Sequence, residues 1–438
     1  MQELKIHFLV VTPYGKHDII ELIKRIDGRN TPGSLQEKVF DCIRRIIMVK
    51  SATMYTYEID SPERAFAEIN EQLGSKITLM NHSVGIMLCA PDFIESGVVK
   101  DLCARFSFPV AGVTTSSQAV NGQMGDLMLT LMVLTSDDVE FAVGMTDSLE
   151  GGDLSVLVGN ALEQAKEASD SALAMALIFP PLLELYPGDA YIEVFEKYCG
   201  KIPVFGTLAV DDSITFERSM TVCNGRSEHS ALSFILMFGN VAPRFALATV
   251  SKKKLLPYTG EITRAQDVKI LEINDLPASK YFESIGLAKN GVLHEGVQFI
   301  PFMMDVTRAE DYDGVPVVRA LYRFDEDGSA LCRGRMYEKS VFTLGSCSME
   351  DVMETTLECV GKINDMDNAQ AVILFSCIVR RMAFGVNPLA EAKGIKELLN
   401  PDLPFILGYS GGEICPTSIR EHIAANRFHN YSFIACVL

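Results

Sequence analysis

An internal repeat limits how this chain can fold more than any other feature. Three times an apolar run, a helical stretch, a short strand ending in glycine, a polar loop and a second apolar strand follow one another. The first copy reads VGIMLCAPDFI, FPVAGVTTSSQ and DLMLTLMVL. The second reads MALIFPPLLEL, IPVFGTLAVDD and ALSFILMFG, and the third AVILFSCIVRR, LPFILGYSGGE and YSFIACVL. Continuous apolar runs of this kind fit strands covered on both faces. Intervening segments such as EVFEKYC and NPLAEAKGIKELLN have helical spacing. The expected fold class is therefore mixed α/β, built from repeated strand–helix–strand units. Gly112, Gly206 and Gly408 follow the proline-led strand in each copy, where glycine permits a tight turn or a close backbone approach. Loops after such strands are where open α/β sheets bind ligands.

Between the second and third copies the pattern changes. Strand-like runs alternate with turns, with Asn274–Asp275 and Asp327–Gly328 as hairpin signals. This antiparallel insertion places a boundary near residue 240 and divides the chain into two domains, 1–240 and 241–438. With 438 residues, 48% of them hydrophobic, the chain can bury two or three domain cores. The N-terminal MQELKIHFLVVTPYG has a short apolar run and no small-residue cleavage site, so it reads as a first strand rather than a signal peptide.

Acidic residues number 57 against 39 lysines and arginines, for a formal net charge of −18. Such a surface repels phosphate backbones and anionic membranes, which argues against nucleic acid as a partner. The longest apolar stretch, SALAMALIFPPLLELYPG, is broken by Pro180 and Pro181 and is too short to cross a bilayer, so no membrane insertion is expected. Eleven cysteines without a CxxC pair, several of them inside apolar runs (Cys89, Cys377, Cys436), fit a reducing, cytoplasmic setting. No phosphate loop, dinucleotide fingerprint, HExxH or nucleophile elbow occurs, and the histidines lack paired ligand spacing. Neither cofactor, metal nor catalysis is expected on these grounds.

The third copy carries the most specific signal. FSCIVRR (375–381), GYSGGEICP (408–416) and FHNYS (428–432) resemble the C-terminal half of FIST proteins. The family pattern there runs FSC-x-x-RR, then G-[FY]-x-x-x-GEI-x-P, then HN-x-T, and Ser432 stands where threonine is usual. FGTLAVDDSITFERSMTVCNGR is similar to the family's second glycine–alanine–aspartate loop. AGVTTSSQAVNG lacks the glutamate of the corresponding first loop. The resemblance covers roughly residues 55–438. It implies a sensory domain that binds a small ligand, an amino acid or a derivative, and passes that state to a signalling module. The output partner is then expected to be a separate protein.

Chemistry sharpens that expectation. Arginine's planar fork pairs bidentately with carboxylate or phosphate, so Arg380 and Arg381, at the end of a buried strand, are candidate receptors for a small polar metabolite, an amino acid or a carboxylate. Neighbours on an extended chain face opposite ways, so one of the two should meet the ligand and the other an acidic residue. Glu413 is the candidate seat for a ligand's ammonium; the alternative is an arginine–glutamate pair that ties two loops together. Gly408, Gly411 and Gly412 allow close backbone approach, with Gly206 at the equivalent place in the second copy. Tyr409 and Ser410 share that loop, and His429 and Asn430 would orient the loop or the ligand. Asp211 and Asp212 offer paired carboxylates or a turn cap. Cys377, beside two arginines and with His429 as base, would make a thiol hydrolase or transferase; a packed, inert cysteine is the alternative. A small-ligand sensor is the leading reading, with that enzyme and an interaction scaffold behind it.

Overall fold

The structure, a computed structural model, describes residues 49–213, 215–305 and 314–438. The strand expected at the N-terminus lies outside them. Each copy of the repeat becomes six strands in one order. The first unit supplies β1 (Lys50–Thr56), β2 (His82–Cys89), β3 (Val110–Thr114), the hairpin β4 (Gln118–Val120) and β5 (Gln123–Gly125), and β6 (Leu129–Ser136). The second supplies β7 (Glu140–Met145), β8 (Leu173–Phe179), β9 (Val204–Thr207), the hairpin β10 (Thr221–Cys223) and β11 (Arg226–Glu228), and β12 (Ser233–Phe238). The third opens with β13 (Arg244–Ala248) and is interrupted by the insertion. The insertion holds β14 (Thr259–Gln266), β15 (Lys269–Ile273), the two-residue β16 (Leu276–Pro277), β17 (Ala288–Lys289) and β18 (Val292–Leu293), β19 (Phe302–Asp305), β20 (Val317–Phe324), β21 (Ala330–Arg333) and β22 (Val341–Leu344). The third unit then resumes with β23 (Val372–Cys377), β24 (Phe405–Ser410), the hairpin β25 (Glu413–Arg420) and β26 (Ile423–His429), and β27 (Phe433–Val437).

No unit completes its own sheet. The first sheet runs β1-β6-β2-β3 and then takes the β10–β11 hairpin of the second unit. The second runs β7-β12-β8-β9 and takes β25–β26 of the third, and the third runs β13-β27-β23-β24 and takes β4–β5 of the first. In each, only the two apolar central strands are parallel: β2 with β3, β8 with β9, β23 with β24. This cyclic exchange of hairpins ties the three units into one ring, because backbone bonds of every sheet cross a unit boundary. The expected division at 240/241 falls between β12 and β13, where the third unit begins.

Helices cover the outer face of every sheet: Pro62–Lys76 and Val98–Arg105, Leu154–Lys166 and Gly188–Cys199, Met349–Asn364 and Ala390–Leu398. Sequence dictates their starts. Ser61 and Asp153 each accept a first-turn N–H, and Ser348 with Asp351 forms a capping box. The strands alternate beneath. In β23, Ile373 and Phe375 join a central core shared by all three sheets, while Val372 and Leu374 pack under the helices. In β8, Met175, Leu177 and Phe179 point to the same central core, and Ala176 and Ile178 point outward. Burial on both faces is why these strands read as unbroken apolar runs.

The insertion closes on itself. Its strands follow β14-β22-β19-β20-β21-β15 and return to β14, a six-stranded antiparallel barrel with its own aromatic core of Tyr281, Phe282, Phe302 and Phe342. The expected turns are present: Asn274 and Asp275 both have positive φ (49° and 62°), and Gly328 (φ 82°) lies between β20 and β21.

Gly112 and Gly206 do not terminate their strands. A Cβ on either would stand 1.9 Å from the carbonyl oxygen of the neighbouring parallel strand, Met87 O or Ile178 O. Close backbone approach, one of the two expectations, is therefore the reason for glycine here. At Gly408 an added Cβ would meet only side chains, Thr115 and Leu88.

Candidate functional site

The loops after β3, β9 and β24 come together where the three units meet. Ser116 N–H donates to Tyr409 O (3.1 Å), Val210 N–H to Thr114 O (3.2 Å) and Gly411 N–H to Leu208 O (3.2 Å). Each loop thus bonds to another, and the cycle closes. Five residues beyond the glycine, each loop carries a fully buried polar side chain: Ser117, Asp211 and Glu413.

The three differ in their partners. Ser117 Oγ donates to Asp126 Oδ1 (2.5 Å). Asp211 spends both carboxylate oxygens on its own loop, accepting from Ser213 N–H (2.6 Å) and Arg218 N–H (2.7 Å). It is the turn cap, and Asp212 beside it is exposed. Glu413 accepts from two hydroxyls, Ser432 Oγ (2.6 Å) and Ser410 Oγ (3.1 Å). The serine that replaces the usual threonine thus supplies the hydroxyl that holds the glutamate. Burial raises Glu413 to about 8, against the partial relief of those hydroxyls and of the Arg380 charge. At neutral pH it is mostly a neutral acid.

Arg380 and Arg381 lie on a short helix, Ile378–Met382, not on an extended strand. They still diverge, and each has an acidic partner within the protein. Arg380 is 1% exposed and binds Glu391, with Nη2 at 3.0 Å and Nε at 3.2 Å from Oε1. Its Nη2 also donates to Thr356 Oγ1 (2.6 Å) and Val352 O (3.1 Å), and Nη1 to Tyr431 O (3.3 Å) and Thr249 O (3.4 Å). Glu391, itself fully buried, accepts further from Ser376 Oγ (2.7 Å) and Thr356 Oγ1 (2.5 Å). All three nitrogens of Arg380 are engaged, so the expected Arg380–Glu413 frame around a zwitterion is not formed; the acid of Arg380 is Glu391. Arg381 pairs with Asp126 (2.9 Å), which joins the third unit to the first.

Cys377 ends β23, where it caps that short helix, and is 3% exposed. Burial, then the Glu413 carboxyl, pushes its thiol well above the ordinary range. The two arginines following it in sequence point elsewhere, so the thiolate they were expected to favour is not stabilised. Tyr409 belongs to the helix-covered core of the third sheet, and burial together with the Glu391 carboxylate holds its phenol protonated. His429 is fully buried and stands in register opposite Glu413 across the β25–β26 ladder. Gly412 has φ 132°, and a Cβ there would strike Phe428 and Asn430. Gly206 and Gly408 sit one strand back from the loops.

Residues 428–431 also fasten the barrel to the ring. Asn430 N–H donates to Val318 O (3.0 Å), and Asn430 Oδ1 accepts from Ala320 N–H (3.1 Å). Arg319 Nη1 donates to Phe428 O (2.5 Å), and Tyr431 OH to Gln298 O (2.8 Å). Beneath them Arg319, fully buried, pairs with Asp189 (2.8 Å) on the helix Gly188–Cys199. Sequence reasoning missed Glu391, Asp126 and the Arg319–Asp189 pair. Their one available signal was charge inside otherwise apolar segments. At the seam between barrel and ring lies a small cleft of about 30 Å³, walled by Gly411, Phe428, Leu208, Gly188, Tyr322 and Arg333 among others. Among the described residues no three His, Cys, Asp or Glu side chains gather as a metal site. No helix there is long and apolar enough to cross a membrane.

Comparison with family models gives two adjoining matches. The FIST N domain matches residues 83–276 and the FIST C domain residues 277–416. The chain belongs to the FIST family. FIST domains are sensory domains of signal transduction that bind small ligands. No curated protein matches the sequence. Among solved structures, this FIST chain is similar to the crystal structure of cyanuric acid hydrolase from A. caulinodans (8% identity, 89% of this chain and 99% of that one, TM-score 0.35). It is also similar to a cyanuric acid hydrolase structure described as evolutionary innovation by structural concatenation (7% identity, 89% and 99%, TM-score 0.30). Neither similarity reaches a level that specifies a shared fold or activity.

Proposed function

We propose that this FIST protein is a signal-input module that binds a small metabolite bearing an amino group, an amino acid or close relative. It works in the cytoplasm, reports to a separate output protein, and binds rather than catalyses. One observation carries the reading. Where the three loops meet, Glu413 is fully buried, its carboxyl accepts from the Ser432 and Ser410 hydroxyls, and the Arg380 guanidinium that acts on it is committed to Glu391. A buried neutral carboxyl of this kind ionises when a cation arrives within about 4–6 Å, and the new Coulomb attraction is strong because water is excluded.

The surroundings support the same role. Gly411, two residues from Glu413, and Phe428, the neighbour of His429, wall the seam cleft from which a ligand would approach. Ser410 donates to the carboxyl, His429 stands opposite it across the ladder, and Asn430 lies against Gly412, the residue before Glu413. Arg380 and Arg381 act from behind as positioning residues, holding the loop through Glu391 and Asp126. The Cys377 thiol, kept protonated by burial, fits a packed residue better than a nucleophile. A displacement of Glu413 passes through the β25–β26 ladder to Phe428–Tyr431 and so to the barrel, which gives occupancy a structural readout.

Calorimetry with a panel of amino acids at pH 7, in two buffers of different ionisation enthalpy, tests this. Binding should release close to one proton, from Glu413 to solvent. Glu413→Gln should abolish the release and weaken binding tenfold or more. Binding by Glu413→Gln with unchanged affinity, or a panel that produces no heat and no thermal shift, would sink the proposal.

A further inference from the structure

The barrel faces residues 184–193 of the second unit with four arginines. Three have acidic partners across the seam: Arg319 with Asp189 (2.8 Å), Arg323 with Glu184 (3.8 Å), and Arg335 with Glu193. Arg335 N–H also donates to Asp189 Oδ2 (2.9 Å). The fourth, Arg333, has no ion pair among the described residues, although the chain carries 57 acids against 39 lysines and arginines. It is half-buried at the end of β21 and walls the seam cleft together with Glu184, Tyr186, Pro187, Gly188 and Tyr322.

Its guanidinium is held rather than loose. The carbon centre sits 4.3 Å from the centroid of the Tyr322 ring, and Arg323 lies 5.5 Å from the same ring. Stacking occupies the face of a guanidinium and leaves its N–H edge for an in-plane acceptor. Gly334, next in sequence, has φ 105°, and a Cβ there would stand 2.7 Å from Arg319 Nε, so the turn beyond Arg333 is fixed against the paired arginine. A half-buried cation without a counter-ion is costly, and a chain with this surplus of acids has left it so at the wall of a cleft.

We propose that this cleft is a carboxylate-binding site and that Arg333 is its receptor, pairing bidentately with the carboxylate of a small metabolite. Size and charge select the class. About 30 Å³ holds roughly two water-sized groups, which suits the two oxygens of a carboxylate head. Glu184, also in the wall, lies 3.8 Å from Arg323, and its charge repels a doubly charged phosphate more than a singly charged carboxylate. The inference deepens the amino-metabolite reading by naming the other end of the ligand, but rests on Arg333 and the cleft rather than on Glu413.

The test uses the full chain and ¹³C-acetate, a probe with a carboxylate and no amine, followed by line broadening at constant ionic strength against chloride. Wild type and Glu413→Gln should both bind acetate. Arg333→Gln should bind it at least tenfold more weakly, and Arg333→Lys, a point charge without the fork, should recover only part. Circular dichroism confirms that each variant is folded. Equal acetate binding by Arg333→Gln, no binding by wild type, or tighter binding of inorganic phosphate than of acetate overturns the inference. Acetate binding that depends on Arg333 while amino acids release no proton overturns the Glu413 reading and leaves this one standing.

Discussion

Replacing Arg380 with alanine should cost this fold about 4 kcal/mol. The side chain is 1% exposed, and its removal strands Glu391, a fully buried carboxylate that keeps the Ser376 and Thr356 hydroxyls but loses its cation. Breaking a buried pair from one side costs about 3–5 kcal/mol, because the surviving charge stays desolvated without its counter-ion. Val352 O, Tyr431 O and Thr249 O lose a donor as well. Four kcal/mol is roughly a thousandfold in the unfolding equilibrium. Arg381→Ala, one residue on, removes a pair whose Asp126 partner is half exposed, and should cost about 1 kcal/mol or less. Urea unfolding followed by far-ultraviolet circular dichroism reads both; tyrosine fluorescence is a second probe, because the chain has 13 tyrosines and no tryptophan. An Arg380→Met/Glu391→Met double variant should regain at least half of the loss, since a buried pair replaced on both sides by apolar groups is often neutral. A loss at Arg380 no larger than at Arg381, or a double variant worse than the sum of its singles, would refute the argument.

Glu413 sets a pH dependence. Its folded pKa of about 8 lies above the ordinary 4.5, so its contribution to stability is fully present below about 4.5 and is lost as pH rises to about 8, at most about 5 kcal/mol. Glu413→Gln should therefore flatten the decline in stability between pH 5 and 8; an unchanged profile would place the titration elsewhere. Gly112→Ala should cost about 3 kcal/mol or more, because the new methyl meets Met87 O, and Gly408→Ala clearly less, because Thr115 and Leu88 side chains can move. Equal melting temperatures for the two variants would contradict this. Cys377 should resist iodoacetamide in the native protein and react only on unfolding, as read by mass spectrometry; rapid native labelling would restore the case for a nucleophile.

The amino-acid sequence by itself determined the repeat, the mixed α/β class, the inserted antiparallel segment and the loops that matter. These are local and periodic properties: strands buried on both faces leave unbroken apolar runs, helices leave 3.6-residue spacing, and turns leave asparagine, aspartate and glycine. The FSCIVRR, GYSGGEICP and FHNYS segments drew attention to the third unit, and all three do meet around Glu413. Tertiary structure alone decided the exchange of hairpins and the partner of every buried charge. Arg380 pairs with Glu391, eleven residues away along a helix-containing segment, and not with Glu413 in the conspicuous loop. Arg381 finds Asp126 in another unit, and Arg319 finds Asp189 across the seam. A buried charge takes whichever partner the packing brings within hydrogen-bonding distance, and that distance depends on how sheets and units close on one another, which no spacing along the chain encodes.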